Sequence, residues 1–195
     1  MLFRSVISSL SFAAGRPQLG LVRLQGERPR GQNAVEQLVA LINKGVGLNA
    51  AGRHDEGIKF LGQAMGLAQA LDHPMALRQV LANLGMAYAA KGHDSMALRI
   101  SQEAERLALA DRDSRMVGTC RDTISTCYAN LGDIAEALRY AKLALKEFVD
   151  LGEFRYAAVV TGNLGLLEEK RGALQEALVL HERAFAMTET IGDAQ

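Results

Sequence analysis

The stretch Asn83-Leu84-Gly85-Met86-Ala87-Tyr88-Ala89-Ala90-Lys91-Gly92-His93-Asp94-Ser95-Met96-Ala97-Leu98, continuing to Ala104, decides the fold. Its parts return at intervals of 40 residues along the 195-residue chain. Gly92 belongs to the series Gly52, Gly92, Gly132 and Gly172. Five residues beyond each marker come Gly57, Ala97, Ala137 and Ala177, followed by Ile58, Leu98, Leu138 and Leu178. Ala64, Ala104, Ala144 and Ala184 lie seven further on. Seven residues before each marker stand Gly45, Gly85, Ser125 and Gly165, and two before those stand Asn43, Asn83, Thr123 and Asn163. A fixed period of this length denotes one supersecondary unit stacked several times.

Each unit reads as two helices. Asp72-His73-Pro74 is a capping segment followed by a proline, which a first helical turn tolerates. Leu77, Leu81, Leu84 and Tyr88 keep helical spacing as far as Lys91. Gly92 then stops the helix, because the residue after a helix often needs positive φ. Asp94 or Ser95 is the expected cap of the next helix, whose apolar face is Ala97, Leu98, Ala104, Leu107 and Ala108. The small residues permit close packing: with Gly85 facing Ala97 and Ala104, the two axes can approach to about 8 Å.

Composition agrees with helices. Apolar residues are 49% and aromatics 5%, with no Trp, in an Ala- and Leu-rich chain. Lys plus Arg is 22 and Asp plus Glu is 22, so no basic surplus supports nucleic-acid binding. No apolar run is long enough to span a bilayer. A period near 40 also suits propeller blades and HEAT units. Propellers are excluded by the lack of alternating β-branched runs; HEAT units are paired helices too and stay open on periodicity alone.

Gly85, Tyr88, Ala97 and Ala104, and less fully Ser125, Tyr128, Ala137 and Ala144, resemble the tetratricopeptide repeat pattern. The resemblance covers about residues 34–195. It departs from that pattern in length, the usual unit being about 34 residues, and in the early Trp, replaced by Leu41, Leu81, Arg121 and Thr161. The Asn83-Leu84-Gly85 and Asn163-Leu164-Gly165 forms are similar to arrays of spindle-orientation adaptors and kinesin light chains. The expected fold is therefore all-α: a superhelical array of about four antiparallel helix-turn-helix repeats, near 34–72, 73–112, 113–152 and 153–192, with 33–195 as the array and 1–32 outside it.

In such an array the first helix of each unit builds the concave wall. Asn43, Asn83 and Asn163 lie on a side of that helix away from the packing glycine. A carboxamide offers donor and acceptor together, which suits the backbone of an extended peptide, and the resemblance implies that role. With Gln79 and Asp122 they are the predicted peptide-binding residues. Chaperone-tail binders of the family clamp carboxylates with Lys and Arg. The equivalent positions here are Val39, Gln79, Thr119, Val159 and Ile42, Ala82, Asp122, Gly162, so no clamp is expected.

Nothing in the sequence assembles catalytic chemistry, and neither cofactor nor metal is expected. Cys120 and Cys127 replace core-like residues of the other repeats and read as buried thiols. His54, His73, His93 and His181 lack ligand spacing. Glu168-Glu169-Lys170-Arg171 reads as a solvated last turn. No phosphate loop or nucleophile elbow occurs. The chain is thus expected to be a non-enzymatic scaffold for a protein or peptide partner. The alternatives are an assembly factor or structural subunit using its convex face and last helix, or a regulatory part of a signalling protein.

Residues 1–32 carry Arg4, Arg16, Arg23, Arg28 and Arg30 against Glu27, leaving the remainder mildly acidic. Such a Ser- and Arg-containing amphipathic leader fits an extension of a cytoplasmic protein, a mitochondrial transit peptide or, less well, a secretory signal. A cytoplasmic location is expected, with mitochondria as the alternative. At the other end Ala177, Leu178, Ala184 and Phe185 are expected to pack inward. Self-association is expected through the uncovered side of the last helix pair.

Overall fold

The marker glycines set the backbone frame. In the computed structural model, which describes residues 32–192, Gly52, Gly92, Gly132 and Gly172 take φ of 74°, 73°, 89° and 86°. Each ends the first helix of a pair. At Gly92 the Gly92 N–H donates to the Ala89 carbonyl and the His93 N–H to the Tyr88 carbonyl, both at 2.9 Å. This paired closure satisfies carbonyls that the helix end would otherwise leave bare.

The described residues form eight helices: α1 (Gln32–Ala50), α2 (His54–Ala70), α3 (Pro74–Ala90), α4 (Asp94–Ala110), α5 (Ser114–Leu131), α6 (Ile134–Asp150), α7 (Phe154–Arg171) and α8 (Leu174–Gly192). They make four antiparallel pairs, and no strand occurs among the described residues. The residues beyond the usual unit length went into the helices, which run 17 to 19 residues, and not into the short turns. The basic leader falls outside the described residues.

The turns between pairs repeat the turns within pairs. Asp72, Arg112 and Gly152 have φ of 51°, 55° and 71°, and each is followed by the same two bonds, such as Asp113 N–H to the Ala108 carbonyl at 2.9 Å. So the backbone repeats every 20 residues although the side chains repeat every 40. The residue after each of these positions holds the cap position of the next helix. His73 accepts the Ala76 N–H on its Nδ1, while Asp113 and Asp133 accept Met116 and Glu136 N–H on Oδ1. His73, not Asp72, is therefore the cap ahead of Pro74. Asp94 already lies in the first turn of α4, whose cap position is His93.

The chain divides into two units, one ending at Ile100 and one starting at Ser101, within α4. In the first unit α1 packs on α2 and α2 on α3. Leu38, Ile42, Leu61, Ala64, Val80 and Leu84 are among its buried residues. A Cβ on Gly45 would come within 2.6 Å of the Leu61 side chain and 3.2 Å of the Gly57 carbonyl, so the glycine is what lets α1 and α2 approach. In the second unit α5 packs on α6, α6 on α7 and α7 on α8. Its core joins Leu138, Ala141, Ala144 and Phe148 of α6 to Ala157, Val160, Leu164 and Leu167 of α7.

Position 45 of the first unit has two counterparts in the second. Ser125 replaces the glycine and donates its hydroxyl to the Ala137 carbonyl at 2.8 Å. At Gly165 an added Cβ would come within 2.6 Å of the His181 ring. Gly118 lies against the Phe148 ring, where a Cβ would meet ring carbons from 2.9 Å. At the equivalent positions the first unit holds Leu38 and Ala68, both buried, so large and small have changed sides of the pair.

Candidate functional site

The predicted site residues are distributed over both units, and each unit presents them on first helices. In the first unit Asn43 is exposed on α1. Half-buried Asn83 on α3 donates its Nδ2 to the Gln79 carbonyl of its own helix at 2.8 Å. Asn49 Nδ2 lies 3.5 Å from the Asn83 carbonyl, bracing α1 against α3. The Gln79 carboxamide is exposed. Val39 and Met86, on the same two helices, leave 50% and 48% of their surface open.

In the second unit Asp122 of α5 and Asn163 of α7 meet, Asn163 Nδ2 donating to Asp122 Oδ1 at 3.1 Å. Burial pushes the Asp122 carboxyl above the usual carboxylate range, and the Asn163 hydrogen bond only partly opposes this. Among the described residues no cation offsets the burial. Arg121, next in sequence, is turned into Glu105 at 2.8 Å and Glu147 at 2.9 Å. Arg115, two turns earlier, pairs with Glu153 at 3.2 Å and lies over the Tyr156 ring. Thr119, Thr123 and Thr126 turn their hydroxyls back onto carbonyls of α5. On α7, Val159 and Leu166 bracket Asn163 and are 60% and 52% exposed.

The structure thus brings Asn163 to Asp122 and Asn83 to the Gln79 backbone, while Asn43 joins none of them. It also refines the chemistry on offer. The Nδ2 groups of Asn83 and Asn163 are engaged within the chain, as donors to the Gln79 carbonyl and to Asp122 Oδ1. Sequence reading missed the Asp122–Asn163 pairing because the partners are 41 residues apart. The signal was present in the register series Ile42, Ala82, Asp122, Gly162, where a carboxylate stands among apolar residues.

Other groups resolve into structure. Cys120 and Cys127 are buried, as expected. Among the described residues no group of His, Cys, Asp and Glu could hold a metal ion. His181 Nε2 lies 3.1 Å from Glu169 Oε1. Glu168 is not solvated: it is 5% exposed and pairs with Arg171 at 2.7 Å, because its position on α7 faces the packed side of the pair. On α8 only Ala177 of the four expected residues is fully buried. Leu178 and Phe185 are 50% and 64% exposed, since among the described residues no helix lies on them as α7 lies on Leu138, which is 6% exposed.

Residues 158–191 match the tetratricopeptide repeat family model. Among solved structures, the chain is similar to a Rap protein complexed with Competence and Sporulation Factor, at 17% identity and a TM-score of 0.74 over 82% of this chain. It spans 44% of that Rap protein's length. BtubC (BKLC) from P. vanneervenii aligns at 23% identity and a TM-score of 0.66, covering 96% of this chain and 70% of BtubC. The tetratricopeptide domain of Arabidopsis FLU aligns at 16% identity and a TM-score of 0.57, covering 60% of this chain and 98% of that domain. No curated protein matches the chain by sequence. The described residues fold as a tetratricopeptide-like array of four helix-turn-helix units. Proteins of this fold are generally protein–protein interaction scaffolds and typically non-catalytic. Among the described residues, no helix is long and apolar enough to cross a membrane.

Proposed function

We propose that the array is a non-enzymatic scaffold that holds an extended segment of a partner protein on its first-helix faces. The observation that carries this reading is the alternation of carboxamides with open apolar side chains there. Asn83 is neighboured by Met86 on α3, and Asn163 by Val159 and Leu166 on α7. An apolar surface of this kind, interrupted by groups that recognise peptide backbone, suits a segment bound by main-chain hydrogen bonds and shallow side-chain contacts. Val39, Gln79, Thr119 and Val159 offer no cation, so a terminal carboxylate is not the recognised feature. Selection of a random-peptide display library on the full chain tests the reading. Peptides should be recovered, and their affinity should fall about tenfold on the double variant Asn83→Ala, Asn163→Ala. Unchanged binding by that variant would remove the first-helix face from the function.

A second reading is favoured by α8, where Leu174 and Val179 join Leu178 and Phe185 as exposed apolar residues. In this reading the last helix pair is an assembly surface, including self-association. Sedimentation at about 100 μM, above the micromolar affinity such a surface can supply, separates the two. A strictly monomeric chain that still binds peptides leaves only the first.

A further inference from the structure

A carboxylate in a half-buried position normally acquires a cation or several donors. Among the described residues Asp122 has one neutral side-chain donor, Asn163 Nδ2, on Oδ1. The nearby arginines on its own helix are committed to Glu105, Glu147 and Glu153. At the same register the first unit carries Ile42 and Ala82, both buried, so the fold has no need of an acid here.

Gly162 makes a second, independent observation. It has the register of Asp122 on the next first helix and directly precedes Asn163. A Cβ added there would meet only the Ala184 methyl, at 4.0 Å, which is ordinary contact. Close helix packing, which accounts for Gly45, Gly118 and Gly165, therefore does not account for Gly162. Gly47, Gly62 and Gly66 of the first unit are open in the same way, but among the described helix-interior glycines of the second unit only Gly162 forgoes helix propensity without a packing reason. What it leaves is bare backbone beside the residue that orients Asp122.

Resting on the peptide-holding reading above, we infer that Asp122, Asn163 and Gly162 form a subsite for one lysine or arginine side chain of the bound segment, with Val159 and Leu166 taking its apolar neighbours. Asn163 fixes one carboxylate oxygen and leaves the other for the incoming cation. The missing side chain at 162 leaves room for its methylene stem. The raised proton affinity of the buried carboxyl agrees with a group awaiting a positive partner.

The test uses the display library on the full chain, wild type and Asp122→Asn, with folding of each variant checked by circular dichroism. Wild type should enrich one Lys or Arg at a fixed offset from an apolar residue, and Asp122→Asn should lose that enrichment. For a selected peptide, replacing its basic residue by norleucine should weaken wild-type binding about tenfold or more. The same replacement should change nothing on Asp122→Asn. Gly162→Ala should raise the unfolding midpoint while weakening the basic peptide and sparing the norleucine one. Wild-type peptides without a fixed basic residue, or equal affinity for Asp122→Asn, overturn the subsite. If those peptides still depend on Asn83 and Asn163, the scaffold reading survives alone. If no peptide is recovered, both fail.

Discussion

Replacing Arg112 by glycine should stabilise the array. Arg112 stands between α4 and α5 with φ of 55°, held there because its N–H bonds the Leu109 carbonyl at 3.2 Å and the next N–H bonds the Ala108 carbonyl. A side chain with a Cβ costs roughly 1–2 kcal/mol in this region. Glycine removes that cost but returns about 0.5–1 kcal/mol through the greater freedom of its unfolded chain. The balance is a gain of about 0.5–1 kcal/mol, or roughly 2 °C for a chain this long. Asp72→Gly, at φ of 51°, should gain less, because aspartate enters this region more readily. Gly152→Arg, at φ of 71°, should lose about 1 kcal/mol. Urea unfolding of the full chain, followed by helical circular dichroism, reads the three as midpoint shifts at constant slope. If Arg112→Gly is neutral and Gly152→Arg costs nothing, the 20-residue backbone frame does not govern these turns.

Gly118→Ala should destabilise by about 1–2 kcal/mol despite the better helix former, because its methyl meets the buried Phe148 ring from 2.9 Å; full recovery in the Gly118→Ala, Phe148→Leu double variant would show the clash as the cause. Arg121→Ala should cost about 2–3 kcal/mol by leaving Glu105 and Glu147 half-buried and uncompensated, a loss that Arg121→Met would not mend unless both acids were also replaced. Asp122→Asn should be more stable than wild type at pH 7. The folded carboxyl titrates above its unfolded value, so ionisation penalises the folded state at neutral pH, and wild type recovers the difference as pH falls through the folded pKa. Denaturant midpoints of the pair at pH 7 and pH 4 check this; a constant gap would mean that Asp122 ionisation is not the source.

The fold was largely legible because one physical demand, close packing of paired helices, recurs at fixed spacing. Gly45, Ser125 and Gly165 and their Gly57, Ala137 and Ala177 counterparts could be read from residue size alone. Two of the seven turns were not legible in the same way. Gly52, Gly92, Gly132 and Gly172 advertise positive φ, whereas Asp72 and Arg112 adopt it without the residue that signals it. Their conformation is imposed by the two backbone bonds that close each helix, which residue type does not encode. The core exchange of Gly118 with Phe148 was hidden for a related reason. A compensating pair breaks the periodic pattern at both of its positions.

The candidate site was legible as a set of positions and not as a set of interactions. Register placed Asn43, Asn83 and Asn163 on first-helix faces, but rotamers decide that Asn83 turns to Gln79 and Asn163 to Asp122. Within the second unit, residues at odds with the periodic rule converge on one place. Asp122 replaces a buried aliphatic, Gly162 has no packing role, and Val159 and Leu166 expose apolar surface beside them. Other departures there are compensated internally: Ser125 finds the Ala137 carbonyl, Arg121 finds two glutamates, and Gly118 admits Phe148. A repeat whose local choices otherwise agree with its fold has its uncompensated choices where something outside the fold sets the requirement. A ligand with a positive charge and an apolar neighbour meets all of those choices at once.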